Sequence, residues 1–282
     1  MSNYRTSSLF HYTKSLDSLI KILESGALYP NYSLEDLSTK NNPDNIWGIP
    51  EICFCDIPIT KADLFLEQYG SYAIAFDKKW GIQNGCNPIQ YVQNEEIIDA
   101  AIYNERRIRE LKTKIQQFKD SMNYRATVIE KMNEIGHLIQ DYNTHTYTLG
   151  FLKKYMGIWK DIDYCNYDEN EWRYVIPDGR NDIHWLSKEG YSDWRGPVCA
   201  SSATGQGVTT QKPEPTEELK NEGLLFSHQN IHHILVKSES DIQPLIDKLF
   251  GQKRIGDIPL IEKEMAFTIT RISSFERIKK DF

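Results

Sequence analysis

Residues 94–135 contain neither glycine nor proline and make up most of the longest stretch of the chain without a helix breaker. Apolar side chains recur along and just beyond it at intervals of three and four residues: Ile108, Leu111, Ile115, Phe118 and Met122, then Val128, Met132, Ile135, Ile139 and Tyr142. This spacing predicts an amphipathic helix or a helical hairpin. The phase slips between Met122 and Val128, which favours a bend or two helices. The apolar stripe either packs on its own domain or forms a dimer or partner interface.

Short strand and helix patterns surround this stretch without a regular alternation. Strands are predicted at 8–13, 52–58, 72–77, 88–92, 171–176, 231–236 and 266–272, and helices at 15–26, 61–68 and 240–250. Residues 31–50 and 190–223 are predicted as loops, the second of them flexible. Irregular alternation is typical of α+β proteins. We therefore expect an α+β core in two halves, 1–93 and 158–282, with a helical insertion or arm at 94–157.

Composition narrows the class of protein. The formal charge of -7 argues against a broad non-specific grip on nucleic acid, although a local basic patch is compatible with it. No apolar run reaches the roughly 18 residues that a membrane helix needs. The five cysteines form no CxxC pair, and no metal-binding spacing occurs, so we expect no metal site. We expect a soluble, cytoplasmic protein.

The first candidate site is His11-Tyr12-Thr13, where a short strand ends directly before a helix. Free N–H groups point outward from a helix N-terminus, so such a junction suits a ligand that carries phosphate. The alternative is that His11 is a hydrogen-bonded core imidazole and that Thr13 caps the helix.

The second candidate is the acidic pair Glu169 and Glu171. Two residues apart on a strand, both side chains point to one face. Like charges at that distance raise one of the two pKa values, which suits acid–base chemistry or the stabilisation of a developing cation. The alternative is a solvated edge strand on which Arg173 neutralises the pair.

The third candidate is Asp56, at the end of the apolar segment that contains Cys53 and Cys55. A carboxylate at the end of a buried strand needs a partner, because an unpaired buried charge is costly. The alternative is that Asp56 caps a helix that begins near Thr60 or Lys61. The two cysteines are expected in the core.

Taken together, these blocks resemble the AbiGi abortive-infection family of bacterial anti-phage proteins. The resemblance rests on residues 10–13, 22–26, 54–58, 69–74, 87–91, 167–175, 224–226 and 234–236. It covers nearly the whole chain. The resemblance implies the antitoxin half of a two-gene system, which acts on a partner toxin, and a homo-oligomer through residues 94–142 is a further possibility for the arm.

The order of the motifs also resembles the ADP-ribosyltransferase superfamily. That likeness implies a split β-sheet and NAD as the substrate, with His11, Tyr12, Thr13 and Asp56 in the NAD-binding site and Tyr72 stacked on nicotinamide. It implies Glu171 as the catalytic carboxylate, which stabilises the oxocarbenium-like centre, and Glu169 as the residue that orients the acceptor. A protein side chain, a nucleic acid base and water all stay open as acceptors. The two resemblances leave an NAD-dependent effector and a catalytically inactive antitoxin as alternatives.

Overall fold

The structure, a computed structural model, describes residues 6–121, 147–159, 162–196 and 212–281. Its strands are β1 (Ser8–Thr13), β2 (Ala27–Leu28), β3 (Asn31–Asp36), β4 (Ile46–Cys55), β5 (Tyr72–Asp77), β6 (Asn87–Pro88), β7 (Gln90–Val92), β8 (Leu152–Lys154), β9 (Met156–Trp159), β10 (Ile162–Cys165), β11 (Glu171–Val175), β12 (Leu186–Ser187), β13 (Leu224–Leu225), β14 (Ile231–Val236), β15 (Arg254–Ile255), β16 (Ile258–Pro259) and β17 (Ile272–Ser274). The sheet and its helices make an α+β fold, as the sequence predicts.

The α-helices are α1 (Leu16–Ser25), α2 (Leu66–Tyr69), α3 (Lys78–Gln83), α4 (Glu95–Ser121), α5 (Lys188–Arg195), α6 (Glu217–Asn221), α7 (Ile242–Gln252), α8 (Glu262–Ile269) and α9 (Phe275–Asp281). Short 3-10 helices cover Ile59–Phe65, Asn166–Glu169, His228–Asn230 and Glu239–Asp241. Among the described residues, no helix is both long enough and apolar enough to cross a membrane.

The central sheet has the strand order β17-β14-β5-β1-β4-β11-β6, and β3 and β12 add to β4. Strand β1 pairs with β5 over its whole length but meets β4 only at Phe10 and Cys55. Strand β3 pairs with the other end of β4, from Ile46 to Glu51. Both chain halves supply strands to this sheet, because β11 inserts between β4 and β6.

Local signals account for the start of the fold. Ser15 caps α1 by accepting a hydrogen bond from the Ser18 N–H, and Gly26 ends the helix with a left-handed φ of 60°. The predicted strand 8–13 and helix 15–26 are confirmed. So are the strands at 72–77 and 231–236 and the start of a strand at residue 171.

Three local predictions are wrong. The predicted loop 31–50 contains β3 and the first half of β4. These two segments form strands by pairing with each other, and such pairing is not visible in the local sequence. The predicted strand 266–272 is mostly helix α8, because a short apolar run does not distinguish the two structures. The predicted loop 190–223 contains most of α5 and all of α6, each capped by a Ser or Thr hydroxyl.

The two faces of the sheet bury different side chains. One side, named here the α1 face, packs Leu9, Phe54, Ile74 and Phe76 against α1 and α7. The opposite side, the α9 face, packs Phe10, Cys55 and Ala75 against Phe275 of α9. Farther along β4, the α9 face continues into a second apolar cluster that includes Ile49 and Val175.

Helix α4 confirms the predicted helix from Glu95 to Ser121 and is about 40 Å long. Ile98 and Ile102, in its first three turns, are buried in the cluster around Ile49, whereas Tyr103 is 62% exposed. The side chains of Ile108, Leu111, Ile115 and Phe118, and the rest of the predicted stripe at 122–142, lie outside the described residues.

Candidate functional site

A network of charged side chains lies on the α9 face, between its two apolar clusters. At its centre Arg173, the third residue of β11, is fully buried. The other charged members are Glu35 on β3, Glu51 on β4, Lys153 on β8, Glu169 at the end of a 3-10 helix and Glu171 on β11. This set is called the ion network below.

Arg173 holds the network together through its guanidinium group. Its Nε donates to Glu171 Oε1 at 2.6 Å, and its Nη2 reaches Glu171 Oε2 at 3.2 Å. Nη2 also lies 2.9 Å from Glu35 Oε2, and Nη1 donates to the Gly150 carbonyl at 3.0 Å. The planar fork is thereby engaged on both sides, which is the arrangement that favours Arg over Lys at buried carboxylates.

Lys153 joins the two predicted carboxylates. Its Nζ lies 2.8 Å from Glu169 Oε2 and 2.8 Å from Glu171 Oε2. The prediction that both carboxylates lie on one strand is wrong. Glu169 ends the 3-10 helix Asn166–Glu169, and Asn170, with a left-handed φ of 44°, turns the chain into β11. The two side chains converge through the shared ammonium.

The solvated-edge alternative for this pair is also wrong, because Glu169 and Glu171 are only 1% and 5% exposed. Arg173 does neutralise Glu171, as that alternative expects.

The surroundings separate the pKa values of the two carboxyls. Burial alone raises the pKa of Glu171, but the charges of Arg173 and Lys153 outweigh it and hold that pKa well below its usual range. Burial raises the pKa of Glu169, against the opposing effect of Lys153. Burial lowers the pKa of Lys153, but the charges of Glu171, Glu35 and Glu169 outweigh burial. Together they hold this pKa well above its usual range. Arg173 and Lys153 therefore favour the charged form of Glu171, and both of its oxygens accept hydrogen bonds.

His11 and Thr13 lie away from this pair. Glu171 is in register with Cys55, and Cys55 with Phe10, so these three side chains share the α9 face. His11 follows Phe10 and points to the α1 face, where its ring meets Phe54 edge-on at 5.7 Å. Its Nδ1 is 3.0 Å from the Cys53 carbonyl oxygen, at the place where β1 and β4 separate. Burial lowers the pKa of His11, which favours the neutral imidazole.

The aromatic candidates also divide between the faces. Tyr12 lies on the α9 face, where it stacks on Phe275 at 6.4 Å. Tyr72 pairs with Thr13 across β1 and β5, is buried in the cluster of the α1 face and donates to Asp241 at 3.3 Å.

Asp56 pairs with a lysine. Both of its oxygens lie 2.6 Å from Lys78 Nζ, and Thr6 donates to one of them. The alternative for Asp56, that it caps the following helix, is wrong. Its side chain bonds to Thr6 and Lys78.

A cavity of about 540 Å³ opens beside Asp56, at the edge formed by β6 and β11. Tyr91, Tyr167 and Trp172 contribute aromatic walls, and Asp56 and Glu171 are among its lining residues. Lys78 Nζ lies 5.5 Å from the centre of the Trp172 ring, so the wall is both aromatic and charged. The volume is in the range of small-molecule sites.

Sequence reasoning identified Glu169 and Glu171 but missed Glu35, Glu51 and Lys153. One signal was available: Glu51 interrupts the apolar run Ile49–Cys55, and a buried acid in a strand requires a partner. The partner Arg173 lies on a strand far along the chain, so the sequence does not reveal it.

Comparisons with known proteins agree on one family. Residues 26–236 match the family model described as "Putative abortive phage resistance protein AbiGi, antitoxin". The chain is also similar to the abortive phage resistance protein AbiGi of Lactococcus lactis subsp. cremoris, with 28% identity over 272 residues, 91% of this chain and 100% of that protein. No solved structure matches the chain.

Proposed function

The chain belongs to the AbiGi family of anti-phage abortive-infection proteins, and we propose that it acts as an antitoxin that binds a partner toxin. The observation that carries this proposal is the state of Glu171, the carboxylate best placed for chemistry. Both of its oxygens are held by Arg173 and Lys153, so each oxygen has a structural partner within the fold. Such a network supports a role in holding β11 against β4.

The β9–β10 hairpin supplies a surface for a partner. It forms a two-stranded sheet that pairs with no other strand of the described residues. Ile158 is 78% exposed and Ile162 is 68% exposed, on opposite faces of the hairpin. Asp163, which is also exposed, is in register with Ile158. Unpaired strand edges with exposed apolar side chains are typical of sites where a second chain adds a strand or packs a face.

The test is binding to the purified partner toxin, measured by calorimetry. We expect the double variant Ile158→Asp/Ile162→Asp to lose at least about 10-fold in affinity, because a charge in an apolar contact costs more than about 1.4 kcal/mol. Leu225→Asp is the matched control, since Leu225 is 72% exposed on β13. Equal affinity for the wild type and the hairpin variant contradicts this surface.

An NAD-dependent ADP-ribosyltransferase is the second candidate, and the cavity favours it. Glu171 is among the lining residues, with aromatic walls suited to a planar ring, and the separation of β1 from β4 is compatible with the split sheet of that superfamily. In this candidate Glu171 stabilises the oxocarbenium-like centre, Glu169 orients the acceptor and Asp56 serves NAD. The other residues expected to bind NAD, His11, Tyr12, Thr13 and Tyr72, do not line this cavity. Release of nicotinamide from NAD, abolished by Glu171→Gln, is the result that this candidate requires.

A further inference from the structure

Glu51 is the carboxylate of the ion network with the fewest partners. Its side chain is fully buried. Oε1 accepts a hydrogen bond from Cys53 Sγ at 3.2 Å, whereas Oε2 accepts none from any described group. The nearest cationic nitrogen, Arg173 Nη1, lies 3.4 Å from Oε2 but donates to the Gly150 carbonyl. One buried carboxylate oxygen is therefore left without a donor.

The charges of the network do not balance. Four carboxylates, those of Glu35, Glu51, Glu169 and Glu171, face two cations, Lys153 and Arg173. Lys212 is the next cation that acts on Glu51, but its Nζ is bonded to the Tyr32 carbonyl and to Ser33 Oγ on β3. Buried negative charge is costly unless a cation or a proton compensates for it; in the metal-free protein a proton on Glu51 does so, and a divalent cation can replace that proton.

Beside this excess charge, three potential ligand atoms converge. The Cys53 sulfur and one carboxylate oxygen each of Glu51 and Glu171 all lie within 4.8 Å of one another. They come from adjacent strands of one sheet, and β4 and β11 pair from Cys55 to Glu51, so the backbone holds them in place. Metal–ligand bonds of about 2.0–2.3 Å then need only a small inward shift of the side chains.

We propose that Glu51, Cys53 and Glu171 bind a thiophilic divalent cation of the zinc class, with water in the fourth position. A thiolate ligand excludes Mg²⁺ and Ca²⁺, which take oxygen ligands. Glu171 Oε2 accepts from both Lys153 and Arg173, whereas Oε1 accepts only from Arg173 Nε, so the cation takes the second lone pair of Oε1 and the existing bonds remain. This site goes beyond the proposed antitoxin function and does not depend on it.

Below about pH 8 binding releases two protons per cation, one from the Cys53 thiol and one from the Glu51 carboxyl, whose pKa burial raises to about 8. The Cys53 thiol gives its proton to solvent, and the thiolate forms the bond to the metal. Burial, and then the charges of Glu51 and Glu171, raise the pKa of this thiol, so the metal-free protein carries the proton that the metal displaces. Cys53 is half-buried, whereas Glu51 and Glu171 are buried.

The test adds Co²⁺ to the full chain after treatment with a chelator and under reducing conditions. We expect a sulfur-to-cobalt charge-transfer absorption that saturates at one equivalent and that Zn²⁺ then displaces. Cys53→Ser is expected to abolish the absorption, and Glu51→Gln to weaken Zn²⁺ binding at least 10-fold. Cys86→Ser is the matched control, because Cys86 is buried in the apolar cluster of the α1 face.

Two results overturn the proposal: the absence of any absorption in the folded wild-type chain, or its persistence in Cys53→Ser. If Cys53→Ser does not fold, as judged by circular dichroism, the Glu51→Gln variant decides. Unchanged Zn²⁺ affinity in folded Glu51→Gln then overturns the site, and loss of affinity supports it.

Discussion

The α1 face and the α9 face of the sheet are stabilised by different physics. On the α1 face, Leu9, Ile74 and Phe76 are fully buried among apolar neighbours, and their contribution is non-directional and nearly independent of pH. On the α9 face, the ion network separates two apolar clusters and depends on geometry and charge balance. One sheet therefore has an apolar face that tolerates small changes and a second face that does not. On the second face, removal of one charged partner leaves several buried charges unpaired.

The largest effect is expected from Arg173→Met. The substitution keeps much of the volume but leaves Glu35, Glu51 and Glu171 without their shared cation. Breaking a buried ion pair typically costs about 3–5 kcal/mol of unfolding free energy, which urea unfolding measures. Arg180→Met is the control, because Arg180 is 52% exposed and a pair of that kind contributes less than about 1 kcal/mol. Equal losses in the two variants contradict the difference between the faces.

The next effect is a pH dependence that Glu51 introduces. Burial raises the pKa of Glu51 to about 8, well above its value in the unfolded chain. Between about pH 4.5 and pH 8 the native state holds a proton that the unfolded state releases, so stability falls as pH rises, by about 1.4 kcal/mol per pH unit. In a buffer with chelator, Glu51→Gln is expected to remove this decline. If the unfolding free energies of the wild type and Glu51→Gln change in parallel with pH, Glu51 is not the source of the decline.

A smaller effect is expected on the α1 face from Ile74→Val. The loss of one buried methyl group typically costs about 0.5–1.5 kcal/mol. Because no ionisable group is unpaired by the change, the loss is expected to be the same at pH 5 and pH 8. A loss that varies with pH means that the two faces are coupled through the sheet.

The smallest effect is expected from Ser15→Ala at the start of α1. It removes the side-chain acceptor of the Ser18 N–H and costs about 1 kcal/mol or less. Ser15→Asp is the matched control, because it keeps an acceptor and is expected to retain the stability of the wild type. If Ser15→Asp loses as much stability as Ser15→Ala, the hydrogen bond from the Ser18 N–H to the side chain at position 15 does not stabilise the helix.

The sequence predicts those parts of the fold that depend on local signals. Strand β1 and helix α1 follow from an apolar pattern, a serine cap and a terminal glycine. Strand β3 was not predicted because it depends on pairing with β4. Helix α8 was predicted as a strand because its apolar residues suit either structure.

The candidate site divides in the same way. Glu169 and Glu171 lie near each other in the sequence and are identifiable as a pair. Lys153 and Glu51 reach them only through the pairing of distant strands, which single-sequence patterns do not encode. The sequence also does not reveal that His11 and Glu171 lie on opposite faces, since that depends on the register between β1 and β4.

The most direct test of the central claim is growth of cells that express the partner toxin together with this chain. If the chain is an antitoxin, the wild type and Leu225→Asp restore growth, Ile158→Asp/Ile162→Asp does not, and the chain expressed alone is harmless. Growth arrest by the chain alone, relieved by Glu171→Gln, contradicts the antitoxin role and favours the NAD-dependent enzyme.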